Sequence, residues 1–121
     1  MPAPVSSSVS LLTSTTLAGG GSTTFNVDFS AKVSGTVQVG GTFGSISTTA
    51  GIQIEVFRRV GSGPTTDTQA ALPAILAAIS GAQAKSIALG TGRYTVKLTN
   101  LDTSNAVTAV SAVADQIDSY S

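Results

Sequence analysis

The sequence predicts an all-β fold, a single antiparallel two-sheet β-sandwich. Three observations predict it. Apolar and polar residues alternate in segment after segment. Turns rich in Gly, Asn, Asp and Ser recur between those segments. The polar positions are filled by 17 Ser and 17 Thr rather than by charges. A period of two puts one face of a strand in a core and the other in water. A sheet with one apolar face must bury it, and two sheets face to face are the simplest solution. The 121 residues suit one domain, which at this size buries about two-thirds of its unfolded surface. Seven to nine short strands are expected, and jelly-roll and immunoglobulin-like topologies are both open.

Residues 1–8 read as an extended arm, because Pro2 and Pro4 disfavour helix in the residue before each. Residues 9–114 read as the sandwich and 115–121 as a C-terminal tail. Val9, Leu11 and Thr13 begin the alternation, and "AGGGS" at 18–22 is a turn. In "TTFNVDFSAKVSG", Phe25, Val27 and Phe29 take one face and Asn26 and Asp28 the other. "GTVQVGGTFGSIS" continues through Val37, Val39, Phe43 and Ile46. "GIQIEVFRRVGSG" is the most apolar strand, with Ile52, Ile54 and Val56 on one face and Gln53, Glu55, Phe57 and Arg59 on the other. "GSGPTTDTQ" is a loop. "ALPAILAAISGAQ" fits two forms: Leu72, Ile75, Leu76 and Ile79 have helical spacing, giving a short helix near 73–79 opened by Pro73, yet a buried strand reads the same way. "KSIAL" at 85–89 is a strand.

The last segment, "GRYTVKLTNLDTSNAVTAV" at 92–110, alternates on both sides of a polar cluster and predicts a hairpin. Tyr94, Val96 and Leu98 face the core; Arg93, Thr95, Lys97 and Thr99 face out. Gly92 and Val96 flank Tyr94 as in the corner tyrosine of immunoglobulin-like domains, whose hydroxyl ties a loop to a strand. Two positions depart from that pattern: Gly90 stands where an acidic residue is frequent, and Val96 where antibody domains carry Cys.

Composition excludes several kinds of work. Charged residues are 10% of the chain and the net charge is zero, so no basic patch follows a phosphate backbone and no nucleic-acid partner is expected. No polybasic or amphipathic membrane anchor is present, and the first 20 residues lack the pattern of a secretory signal. The absence of His and Cys removes the common proton shuttle, the thiol nucleophile and the usual zinc ligands. A carboxylate pair can still perform glycosidic chemistry. Asp28 and Glu55 are the acids inside confident strands, where they could pair across neighbouring strands, but both sit among ordinary outward polar residues. Asn100, Asp102 and Ser104 place oxygens at alternate positions. One carboxylate is thin for calcium, and side-chain-to-backbone turns account for the same residues. No catalytic residue, cofactor or metal site is therefore expected, and the chain reads as a non-enzyme.

The remaining candidates are contact residues. Phe57 is an aromatic on a polar face, flanked by Glu55 and Arg59, which suits an interface. Arg58 falls on the inward face after Val56, so either the strand has ended or the guanidinium reaches a partner. Arg93 and Lys97 give the hairpin a mildly basic outer face. Pro2, Pro4 and Val5 form an arm able to cross to a neighbouring subunit. A near-neutral surface also favours association, so a homo-oligomer is expected.

The segments "GIQIEVFRRVGSGPTTDT" and "GRYTVKLTNLDTSNAVTAVS", in that order, resemble small β-sandwich virion proteins of tailed bacteriophages. That group includes head decoration or cement proteins and small neck and tail components. The likeness covers about two-thirds of the chain and transfers no functional residue. It implies a structural protein made in the host cytoplasm and seated on the capsid surface, held by the major capsid protein or other virion proteins. A neck, tail or baseplate position is one alternative. A carbohydrate-binding or adhesive sandwich is the other, weakened by the absence of Trp and by only two Tyr.

Overall fold

The computed structural model describes residues 4–29, 32, 34–43, 51–59, 74–76 and 81–120. Eight strands run in chain order: β1 (Pro4–Leu17), β2 (Ser22–Asp28), β3 (Ser34–Phe43), β4 (Ile52–Arg59), β5 (Ala74–Leu76), β6 (Gly81–Leu89), β7 (Arg93–Asn100) and β8 (Val107–Tyr120). They form two four-stranded sheets, ordered β1-β8-β3-β6 and β2-β7-β4-β5. Every pairing is antiparallel. The sheets are those of a jelly roll, which decides between the two topologies left open by sequence. Among the described strands, only β4 and β5 follow one another within one sheet; every other consecutive pair is divided between the two sheets.

The inward faces expected of β2, of β4 up to Val56, of β7, and of Val37 and Val39 in β3 are the observed ones; Arg58 is exposed, and Ile46 and the Phe43 side chain lie outside what is described. Ile52, Ile54 and Val56 meet Val96 and Leu98 inside, against Val37, Val39, Val110 and Ala112 of the other sheet, and all are essentially inaccessible. Phe25, Val27 and Phe29 are buried on the same side. Phe29 lies just past β2, and its ring occupies the space where a Cβ on Gly35 would go. Gly35 is thus the small residue that lets the largest buried side chain seat itself.

Two expectations are corrected. Ala74–Leu76 is a strand paired with β4, not helix: Ile75 is exposed and Leu76 buried, a period of two. Leu72, Pro73 and Ile79, like the 61–69 loop, lie outside the described residues. The second correction is larger. The segment 92–110 is not a hairpin. β7 pairs with β2 and β4, whereas β8 pairs with β1 and β3 in the opposite sheet. The 101–106 loop arches over the end of the sandwich instead of reversing within one sheet. Alternation specifies which residues face inward, and a hairpin and an arch share that pattern.

A buried polar group holds the arch. Asn100 is 1% exposed. Its amide donates to the carbonyls of Leu17 (3.2 Å), Ala18 (3.2 Å) and Asn105 (2.8 Å), and its Oδ1 accepts from the Asp102 amide (3.0 Å). Gly20, at φ 71°, donates from its amide to the Asp102 carbonyl at 2.9 Å. That positive φ is the conformation Gly takes without steric cost, so "AGGGS" is the turn expected of it.

The side-chain-to-backbone bonds expected of this loop are present. The Asp102 carboxylate accepts from the Ser104 amide (2.8 Å), the Asn105 amide (3.0 Å) and the Asn105 side chain (3.1 Å). The Ser104 amide foremost, then the Asn105 side chain and its backbone amide, hold the carboxyl below the ordinary aspartate value; desolvation opposes them weakly. A folded-state value below the unfolded one contributes stability above the unfolded value. That contribution is lost as pH falls through the folded one. Wild-type melting temperature should therefore drop more steeply below about pH 4 than that of Asp102→Asn, followed by circular dichroism from pH 6 to 2. Parallel curves would remove Asp102 as a contributor.

Residues 4–8 and 115–120, at the two chain ends, pair with each other in β1 and β8 from Pro4 opposite Tyr120 inward. The Ser8 hydroxyl donates to the Asp115 carboxylate, and the Gln116 side chain donates to the Ser7 hydroxyl at 3.1 Å. Tyr94 is half-buried, and its hydroxyl donates to the Gly90 carbonyl at 3.0 Å. The corner contact expected of an immunoglobulin-like domain thus occurs here in a jelly roll. A tyrosine four residues past a loop carbonyl can tie down a strand end in either topology.

Candidate functional site

Cross-strand register assembles the outer face of sheet β2-β7-β4-β5 in rows. Asp28, Arg93 and Arg59 form one row, Asn26, Thr95 and Phe57 the next, Thr24, Lys97 and Glu55 the third, and Ser22, Thr99 and Gln53 the fourth. The Thr95 hydroxyl donates to Asn26 Oδ1 at 3.0 Å. Arg93 Nε lies 3.4 Å from Asp28 Oδ2, with both side chains partly in solvent, so this ion pair contributes little to stability. Phe57 is half-buried among these polar groups. It is the aromatic centre of an otherwise hydrogen-bonding face.

Arg59 stands directly opposite Arg93. Like charges at opposed positions repel, and Asp28 on the far side of Arg93 offsets that. Arg59 Nε is shielded from water and has no hydrogen-bond partner among the described residues. A buried donor left unmade costs free energy that an incoming oxygen would recover. Of the six Lys and Arg, Lys32, Arg58, Arg59 and Arg93 gather at this end of the sandwich.

The predicted contact residues divide into two groups. Phe57, Arg59, Arg93 and Lys97 come together on this face. Arg58 is exposed at the end of β4, opposite Tyr94, and the strand continues past it to Arg59. Pro4 and Val5 lie in β1, opposite Tyr120 and Ser119 of the other sheet, and Pro2 is outside the described residues. Asp28 and Glu55 are not on neighbouring strands: β7 runs between β2 and β4, and the two acids sit two rows apart. The facing pair that glycosidic chemistry needs is not formed by these two.

Sequence reasoning named the Arg93, Thr95, Lys97 and Thr99 face but did not join Asn26, Asp28 and Gln53 to it. Their outward direction was legible; which strand lay beside which was not. It also passed over a cleft of about 370 Å³ between the β1 and β2 edges. Val9, Leu11, Val27, Phe29 and Ala114 give it an apolar floor, and Asn26, Asp28, Lys32 and Gln116 line it as well. Val9 points inward opposite Ala114, which is 1% exposed, yet Val9 itself is 42% exposed because the sandwich is open there.

No protein-family model matches the sequence, and no curated protein matches it. Solved structures do. A family 35 carbohydrate-binding module from Clostridium thermocellum shares the fold at a TM-score of 0.56 and 12% identity, over 88% of this chain and 97% of that one. A family 35 module solved with a glucuronic acid-containing disaccharide matches at 0.51 and 11%, over 86% and 71%. A Bacillus endospore appendage structure, described as a family of disulfide-linked pili, matches at 0.51 and 15%, over 97% and 89%. The chain therefore has the β-sandwich fold of these proteins. At such identities the likeness is one of fold, and it carries the sandwich expectation without the virion resemblance.

Proposed function

We propose that the chain is a non-catalytic recognition module that binds carbohydrate on the outer face of sheet β2-β7-β4-β5. The observation that carries this is Phe57 set among Asn26, Glu55, Arg59, Arg93, Thr95 and Lys97. A sugar presents an apolar C–H face that packs on a ring and hydroxyls that both donate and accept. This face offers one ring with donors and acceptors around it, the mixture a small polar ligand needs. The fold shared with carbohydrate-binding modules supports the reading.

Affinity electrophoresis and calorimetry against soluble neutral and uronate-bearing polysaccharides test it. The wild-type chain should be retarded by at least one polymer. Phe57→Ala should weaken binding about tenfold, the ordinary effect of removing an aromatic anchor, and leave the melting temperature within a few degrees. Equal retardation of both would move the site off this face, and no retardation by any polymer would remove the reading.

A second reading is favoured by the endospore-appendage likeness, which spans nearly the whole of both chains. Here the chain is a structural subunit of a particle, the bacteriophage decoration protein suggested by sequence being one form. Its mark would be a fixed copy number against the major shell or filament protein in purified particles.

A further inference from the structure

Each sheet of an open sandwich leaves two edge strands with backbone groups to satisfy, and proteins blunt such edges by shortness, charge, proline or bulges. Among the described residues, three of the four edges are blunted by shortness or charge. β5 is three residues long, β2 carries Asp28 and β6 carries Lys85. β1 is different. It has 14 residues, Pro4–Leu17, without a charge, and among the described residues it is laddered to β8 alone. Bulges interrupt its register between Ser10 and Leu17 and between Val5 and Ser6, leaving Ser6–Ser10 as a regular run opposite Ile117–Val113. Beside that run opens the apolar cleft, with Val9 at its lip.

We infer that the Ser6–Ser10 edge of β1 pairs antiparallel with the same edge of a second copy of the chain. The two sheets would join as β6-β3-β8-β1 against β1-β8-β3-β6 about a two-fold axis. The charge pattern favours a second copy. The edge is uncharged and the chain has no net charge, so a like molecule approaches without repulsion. β1 is also the long uncharged edge that a second copy can offer, which makes the contact isologous and closed at two. Val9 of each copy would cover the mouth of the other's cleft. Edge pairing over five residues buries little area, so the dimer belongs with small, concentration-dependent interfaces below about 1,200 Å². The surface lies on the sheet opposite Phe57, and its failure is separable from that of carbohydrate binding.

Because the chain has no Cys, a single cysteine can be placed at each position from 6 to 10 in turn, Ser6→Cys through Ser10→Cys. Directly opposed Cβ atoms lie ~5 Å apart across a strand pair, and those displaced by two residues ~7–8 Å, while a disulfide needs ~4 Å. Dimer cross-linking under mild oxidation should therefore peak at the position nearest the two-fold, about tenfold over positions one residue away, whose counterparts are displaced by two. Sedimentation equilibrium should show a wild-type monomer–dimer equilibrium shifted at least tenfold toward monomer in Val9→Lys. A flat cross-linking profile, or none, would overturn the inference even if Val9→Lys failed to fold. So would a folded Val9→Lys that dimerises like wild type.

Discussion

Asn100→Ala should be among the most damaging single substitutions in the chain, lowering stability by about 3 kcal/mol and the melting temperature by on the order of 10 °C. The cause is the acceptors left behind. Asn100 is buried and its amide serves carbonyls of Leu17 and Ala18, at the end of β1, and of Asn105 within the arch. Truncation leaves the buried Leu17 carbonyl without its donor, removes a bond from the part-buried Ala18 and Asn105 carbonyls, and takes the acceptor from the Asp102 amide. Asn100→Asp should be no better, since a carboxylate cannot donate and brings a charge into the interior. Thermal and urea unfolding followed by circular dichroism check both. A loss below about 1 kcal/mol in either variant would mean that the arch is held by its backbone bonds alone.

Gly35→Ala is the second large effect, and it comes with its own rescue. The added methyl overlaps the ring of Phe29, which is 1% exposed and has nowhere to move without opening the core. Overpacking of this kind costs about 1–3 kcal/mol. Phe29→Leu alone costs a similar amount through the space it vacates. Combined, the two should cost less than their sum by about 1 kcal/mol, because each relieves the other. Additive losses would show that Gly35 is required for its backbone rather than for the space above it.

How far the sequence could be read depended on what kind of information each feature carried. Inward and outward directions were legible wherever a strand alternated: Phe25, Val27, Ile52, Ile54, Val56, Val96 and Leu98 all face as their spacing says. Pairing was not. Nothing in "TNLDTSNAV" separates a hairpin from an arch, because both need a polar turn between inward-facing residues. The deciding group, Asn100, looked like one more turn residue. The same limit held for the candidate face. Phe57, Arg59, Arg93 and Lys97 were each visible as outward residues, but their convergence with Asn26 and Asp28 follows from β7 lying between β2 and β4. The mouth between β1 and β2 left no mark either, since Val9 alternates like a core residue and its exposure reflects how far the facing sheet extends.

The strand order also has a consequence for the timing of synthesis. β1 and β3 flank β8, which is the last of the eight strands to leave the ribosome. Until it arrives, β1 has no neighbour in its sheet and β3 has only β6. The other sheet can assemble once β7 emerges, but its partner waits for residues 90 to 116 positions away from their β1 partners in sequence. Such pairings close slowly, because the chain entropy must be lost before the contacts form. During that interval the uncharged β1 segment is exposed on both edges, and a nascent chain held close to others on a polysome would meet its competitors before its partner.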